Sequence, residues 1–246
     1  MIMNLSFLDN KIVQNLIYLV FCCISTGLLY LVTHTLLQFN HKYNTYDYNK
    51  KCYILKNIIK SCSLAYLCLL KVPPIIYDAY LDHWDNVILS NFASIYVSND
   101  IMGLIILPKL PTSTKLHHIT TTIMLFYSYT IDFTQDNVGR LLFILVLFSS
   151  FSFIVNFYLG VRYLRNDNKL FNEWLNLIRL SAFYIYIVCC VINWGIQLIM
   201  LVTKFINVGL TWPYYIYISL LIPVITDDLV LLRWLRESPI PKIKNI

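Results

Sequence analysis

The sequence predicts an all-α, polytopic membrane bundle of about seven transmembrane helices, and three observations carry that prediction. Hydrophobic residues make up 58% of the 246 and charged residues only 13%, with a mean hydropathy of +0.63. A soluble domain is about 45–50% apolar and about 25% charged, and a chain this short cannot hide such an excess from water. The apolar residues fall in long stretches, and about 20 in a row cross the hydrocarbon as a helix. Basic residues cluster at the ends of those stretches, where they report topology and not nucleic-acid binding.

Seven apolar segments can be drawn, at 12–37, 58–77, 87–107, 116–131, 138–163, 174–202 and 212–232. The second is the weakest, because Lys60 and Lys71 bracket a short run and Pro73-Pro74 kinks or ends it. Segment 116–131 is short and opens on two histidines. No Gly- or Ser-rich linker divides the chain. The expected organisation is an N-terminal transmembrane helix with a basic cytoplasmic loop (1–55), a six-helix membrane domain (56–235) and a basic cytoplasmic tail (236–246). Met1 to Lys11 lacks a basic n-region and the next apolar stretch is too long for a secretory h-region, so it is expected to stay as the first membrane helix.

An N-terminus outside the cytoplasm and a C-terminus inside fit the positive-inside rule. Of the 19 Lys and Arg, fifteen then lie inside: Lys42, Lys50, Lys51, Lys56 and Lys60; Lys109 and Lys115; Arg162, Arg165, Lys169 and Arg179; Arg233, Arg236, Lys242 and Lys244. Only Lys11, Lys71, Arg140 and Lys204 lie outside. Trp84, Trp174, Trp212 and Trp234 fall near the proposed borders, as interfacial aromatics do. The seven cysteines form neither a disulfide framework nor a zinc ligand set, and Cys52, beside a lysine cluster, is a palmitoylation candidate.

Ionisable groups inside a bilayer are costly and point to function. Asp100 stands seven residues before Leu107, roughly 10 Å from the inner end of its helix at 1.5 Å per residue. His117 and His118 open the next helix on that side, and Asn156 comes seven residues before Tyr163. Asp227 and Asp228 precede Arg233 by six and five residues on the last helix. Four helices thus place acid, imidazole or amide groups in the inner half of the bilayer. Plain structural roles stand beside this: Asp227 or Asp228 paired with Arg233, Asn156 as packing glue, the histidines touching headgroups. Adjacent residues on a helix point about 100° apart, which argues against both histidines ligating one ion, so no metal and no resident cofactor are expected.

Tyr96-Val97-Ser98-Asn99-Asp100, a short apolar run, a Pro-containing loop and Lys115-Leu116-His117-His118-Ile119-Thr120-Thr121 resemble the central motif of TLC-domain membrane proteins. That family includes ceramide synthases and TRAM translocon-associated proteins, and the resemblance extends over 56–234. It implies a helical bundle with a lipid-accessible cavity. In ceramide synthases the paired histidines and acidic residues downstream belong to an acyl-transfer site fed by cytoplasmic acyl-CoA. By that resemblance His117, His118 and Asp100 would be catalytic groups, and Thr121, Asn156, Asp227 and Asp228 would bind substrate. The sequence departs from the ceramide synthases where they carry an aspartate-rich stretch, since Ser149, Ser150 and Ser152 stand there instead.

The expected function is therefore a TLC-domain protein that binds lipid or influences membrane lipid composition. The alternative is a ceramide-synthase-like N-acyltransferase moving an acyl group from acyl-CoA, as co-substrate, to a sphingoid base or other lipid amine. Expected partners are membrane lipids, acyl-CoA if enzymatic, and no nucleic acid, with self-association left open. An endoplasmic-reticulum-like membrane is the expected location. A seven-helix receptor would carry D/E-R-Y and N-P-x-x-Y, and an elongase H-x-x-H-H; none of these is present.

Overall fold

A computed structural model describes residues 5–164 and 169–237, with 5–9 as backbone only. The chain forms α1 (Leu5–Leu37), α2 (His41–Thr45), α3 (Tyr48–Tyr66), α4 (Val72–Tyr80), α5 (Asn86–Ile106), α6 (Thr112–Tyr129), α7 (Val138–Ser150), α8 (Phe153–Val161), α9 (Lys169–Asn207) and α10 (Trp212–Glu237), with no strand among the described residues. Among the described residues, six helical stretches are long and apolar enough to cross a membrane: Asn10–Leu37, Tyr48–Tyr80, Asn86–Ile106, Val138–Val161, Lys169–Asn207 and Trp212–Glu237. This is the build of an integral membrane protein. The segment expected at 116–131 is helical as α6, but Lys115, the two histidines and its threonines make it too polar to join that set. Arg165, Lys242, Lys244 and the expected tail beyond 237 lie outside the described residues.

Local chemistry sets the boundaries. Asp47, Asp85 and Asn137 each accept hydrogen bonds from backbone N–H groups in the first turn of α3, α5 and α7, at 2.7–3.0 Å. Position 55, where a division was expected, falls inside α3. Pro73-Pro74 does not end the second span. A π-helical turn, Leu67–Lys71, joins α3 to α4, with the prolines in the first turn of α4. Prolines cannot donate to carbonyls a turn earlier, and a π turn absorbs the mismatch without ending the helix. Segment 138–163 has no proline yet breaks at Phe151–Ser152. There the hydroxyls of Ser149, Ser150 and Ser152 donate to carbonyls of their own preceding turn at 2.7–2.8 Å, a pattern that bends helices.

Contacts between the helices sort to two ends. At one, Lys11 Nζ donates to the Ile131 carbonyl (2.8 Å), Arg140 pairs with Asp82 (3.1 Å) and Lys204 with Asp136 (3.2 Å). At the other, Tyr46 Oη donates to the Tyr163 carbonyl (2.8 Å) and Arg179 to that of Leu235 (2.7 Å). Asp132 braces the first end, accepting from Asn86 Nδ2 at 2.8 Å. That bond chiefly, with Thr134 and Lys11 adding to it, holds the Asp132 carboxyl below its usual range.

The α5 span is 56% buried against 22% for those of α1 and α9, so α5 lies at the centre and α1 and α9 turn faces such as Ile17, Phe21, Leu177 and Leu198 outward. α5 packs on α1, α3 and α6, α6 on α10, and α3 on α8. The α3–α8 contact is so close that a Cβ at Gly160 would lie 2.7 Å from Ile58 and 3.2 Å from its backbone nitrogen. Small residues permit such approach between membrane helices.

Gly160→Ala is expected to destabilise the bundle, since overpacking costs about 1–3 kcal/mol and the helix gain is about 0.5–1 kcal/mol. Gly195→Ala, with open space around it, should keep or raise the melting temperature in detergent. Equal melting temperatures for the two variants would mean that α3 and α8 are not held at contact. For Asp132, a lowered folded pKa means its stabilisation is present above about pH 4, where the unfolded carboxyl ionises, and is lost as pH falls through the lower folded value. Hydrogen-exchange protection of the Asn86 and Phe133 amides should follow that profile, and Asn86→Ala should abolish it.

Candidate functional site

The site is assembled from the middle outward. Asp100, on central α5, is completely buried, and its carboxylate gathers groups from two neighbouring helices. From α3, Lys60 Nζ donates to Oδ1. From α6, Thr121 Oγ1 donates to Oδ2 at 3.0 Å, sharing its hydrogen with the His118 carbonyl. His118 Nδ1 lies 2.7 Å from Oδ1, and His117 Nε2 lies 3.9 Å from Oδ2. The His118 approach is close but off the line a hydrogen bond needs, as its Nδ1 has no aligned acceptor.

A second lysine completes the cluster. Lys56 Nζ donates to His118 Nε2 at 2.7 Å. That bond makes Nε2 the acceptor, so the neutral ring carries its proton on Nδ1, facing Asp100. Lys56 and Lys60 are one helical turn apart on the face of α3 that meets α5, and both are buried. Counted along the sequence they fall among the cytoplasmic charges that mark topology; in the structure they are interior partners of the site. The signal was there: two lysines at i and i+4, flanked by Ile54, Leu55, Ile58 and Ile59, on a helix that a buried carboxylate must face. Gly103, one turn past Asp100, leaves room for them, because a Cβ there would sit 3.2 Å from Lys56 Cε and 3.7 Å from His118 Nε2.

Beside the cluster lies a cavity of about 380 Å³ between α3, α6, α8 and α10. Lys56, His117, His118, Asn156, Asp227 and Asp228 all line it. Asp100 and Thr121 do not; they stand behind the histidines and hold them. Asn156 Nδ2 donates to the Ser152 carbonyl of its own helix at 3.0 Å, and so presents its amide without bridging to another helix. Asp228 accepts from Tyr186 Oη at 2.6 Å. Asp227 lies 3.8 Å from His117 Nδ1, a nitrogen with no hydrogen-bond partner among the described residues. Neither aspartate pairs with Arg233, which bonds Glu237 at 3.2 Å instead. At the cavity's rim Arg162 stacks its guanidinium over Trp234 (4.2 Å) and Tyr163 (4.5 Å). Cys52, the palmitoylation candidate, is buried, which withdraws it from modification.

On the far side of His117 a narrow apolar slot of only about 30 Å³ runs between α5, α6 and α7, past Val97, Thr121, Leu125, Phe143 and Val146. Tyr96, His117 and Ser149 belong to both walls, so a polar chamber and an apolar one meet at the histidine.

Asp100, His117 and His118 each offer one ligand atom, all within 4.8 Å of one another. The expectation that neighbouring helix positions diverge too far to share an ion is therefore corrected. Side chains of imidazole length reach back to one carboxylate, with rings 5.6 Å apart. Two lysines nevertheless occupy the Asp100 and His118 acceptors, and a cation would have to displace them. No protein-family model, curated protein or solved structure matches the chain.

Asp100→Ala is expected to cost about 3–5 kcal/mol, because it strands Lys60 as an uncompensated buried charge. Adding Lys60→Met should restore most of that loss in thermal unfolding. A double variant no better than the single one would show that the ion pair is not what Asp100 provides.

Proposed function

We propose that the chain is a TLC-type multi-pass membrane protein that holds an amphipathic lipid, with the polar end among His117, His118, Asn156, Asp227 and Asp228 and the tail beyond His117. One observation carries this reading: the polar cavity and the apolar slot share a wall at Tyr96, His117 and Ser149. The slot as it stands holds only about 30 Å³, so a tail entering it parts α5, α6 and α7; a ligand that uses both spaces is polar at one end and apolar at the other, as a membrane lipid is. Through such occupancy the protein influences membrane lipid composition. Thr121 serves by fixing Asp100, and so the histidine pair, and not by touching the ligand's polar end.

α6 is the proposed seventh span. Its 18 residues rise about 27 Å, close to the hydrocarbon thickness of about 30 Å, and it connects the two ends to which the other contacts sort. The basic residues favour an N-terminus outside and a C-terminus inside, even with Lys56 and Lys60 set aside. The site then opens to the cytoplasmic half of an endoplasmic-reticulum-like membrane.

A second reading, acyl-CoA-dependent N-acylation of a lipid amine, is favoured by one feature, the Asp100–His118 pair beside the cavity. An oriented imidazole can take the proton from an attacking amine. Against it, the Ser149, Ser150 and Ser152 hydroxyls are tied to their own backbone and replace the carboxylates that the resemblance leads one to expect.

Protein purified in detergent is expected to carry co-extracted lipid, and widening the slot's polar wall with His117→Ala should alter which lipids are retained. Incubation with acyl-CoA and a long-chain amine should yield no product. Product formation by wild type, lost in His117→Ala and His118→Ala, would establish the acyltransferase instead, and an empty slot in every preparation would defeat both readings. Glycosylation acceptors placed after Asp82 should be modified, and ones at 42–51 should not.

A further inference from the structure

Lys56 is not needed to neutralise Asp100, which Lys60 already does. It is buried, it lines the cavity, and no carboxylate lies within ion-pairing distance of it among the described residues. Its hydrogen-bond partner is the imidazole of His118, at 2.7 Å. The other nitrogen of that ring lies 2.7 Å from Asp100 Oδ1. An amine, a base and a carboxylate close to the base thus stand in series, an order also found where enzymes activate a nucleophile, and a second cation one turn away is a known companion of reactive lysines. The missing side chain at Gly103 gives Lys56 Cε and His118 Nε2 the space to meet.

We propose that Lys56 captures a long-chain lipid aldehyde as a Schiff base, with the carbonyl and the first part of the chain in the 380 Å³ cavity that Lys56 lines and the rest of the chain parting the helices at the apolar slot beyond His117. This rests on the lipid-binding reading of the same cavity. An acyl thioester or ester would leave Lys56 as an amide that the site has no means to release, whereas an imine forms and hydrolyses reversibly. Transfer of a proton from the Lys56 ammonium to His118 Nε2 frees the amine lone pair, and Asp100 stabilises the imidazolium. Nitrogen attacks the carbonyl carbon, a C–N bond forms, and the C=O π pair moves to oxygen. Oxygen takes the proton from His118, giving a carbinolamine. His118, neutral again, takes the second amine proton from the carbinolamine nitrogen and passes it to the hydroxyl; the freed nitrogen lone pair then expels that oxygen as water and leaves a protonated imine. One amine and one aldehyde give one imine and one water, with no oxidant or reductant consumed.

The test is hexadecanal with sodium cyanoborohydride on the full chain in detergent, followed by peptide mass spectrometry. The expected result is a reduced adduct concentrated on Lys56, absent from Lys56→Arg. His118→Gln, which still accepts from Lys56 but cannot relay a proton, should slow capture about 10²-fold. Gly103→Ala, a substitution the helix favours, should slow it about tenfold by displacing the amine. Adducts spread over Lys50 and Lys51 without excess at Lys56, or N-acyl-Lys56 formed from acyl-CoA, would overturn the proposal. Wild type that retains hexadecanol yet yields no imine would sink this inference and leave lipid binding standing, while retention of neither would remove both.

Discussion

A single buried carboxylate organises the interior. Removing Asp100 from water is affordable only because Lys60 neutralises it and Thr121 bonds its second oxygen, since an isolated ion in so apolar a place costs many kcal/mol. Those partners come from different helices. The charge on α5 therefore fixes the register of α3 through Lys60 and of α6 through Thr121 and the histidines. A slip of one residue in either helix would turn the partner about 100° away and leave a charge stranded. Hydrophobic packing alone penalises such a slip far less when the surrounding solvent is hydrocarbon.

The opposite half of the bundle shows what a purely structural polar network looks like. Tyr217 Oη donates to Gln197 Oε1 at 2.7 Å, and Gln197 Nε2 donates to the Leu141 carbonyl at 3.0 Å. These groups stitch α9 and α10 to α7 and satisfy one another. Neither residue lines the polar cavity. The Asp100 cluster differs in just these respects. Among the described residues His117 Nδ1 has no hydrogen-bond partner, Lys56 has an imidazole where an anion would be expected, and both side chains face open volume. Burial of polar groups is common to both networks; incomplete satisfaction beside a cavity separates the site from the scaffold.

Much of this was legible in the chain itself. Apolar runs located the spans, and the His117-His118-x-x-Thr121 pattern drew attention to the residues that meet Asp100. Depth counting from helix ends gathered Asp100, Asn156, Asp227 and Asp228, because rise per residue is nearly constant in helices. The failures share a physical cause: a residue's partner is chosen in three dimensions. Lys56 and Lys60 look like border charges when counted along a line, yet helix rotation turns them inward. Arg233 lies a plausible turn and a half from Asp227, but Glu237, at i+4 and near the exposed end, is its partner. Pro73-Pro74 suggests a kink or an end in a linear reading, and a π turn carries the helix through instead of ending it.

The charge distribution around the histidines also bears on what the cavity suits. The resemblance to TLC-domain proteins leads one to expect carboxylates on the helix after the histidine pair, where a lipid amine would be welcome. Here that helix offers hydroxyls already bonded to its own carbonyls, and α3 adds two lysines on the opposite wall. Asp227 and Asp228 keep an acidic side on α10, so the chamber is not uniformly cationic. Near His118, however, Lys56 would repel a protonated amine at short range, an interaction that low dielectric strengthens. A group presenting an electron-rich oxygen meets the reverse situation, with Lys56 able to donate to it. On electrostatic grounds alone, the α3 side of the chamber favours an electron-rich oxygen over a protonated amine.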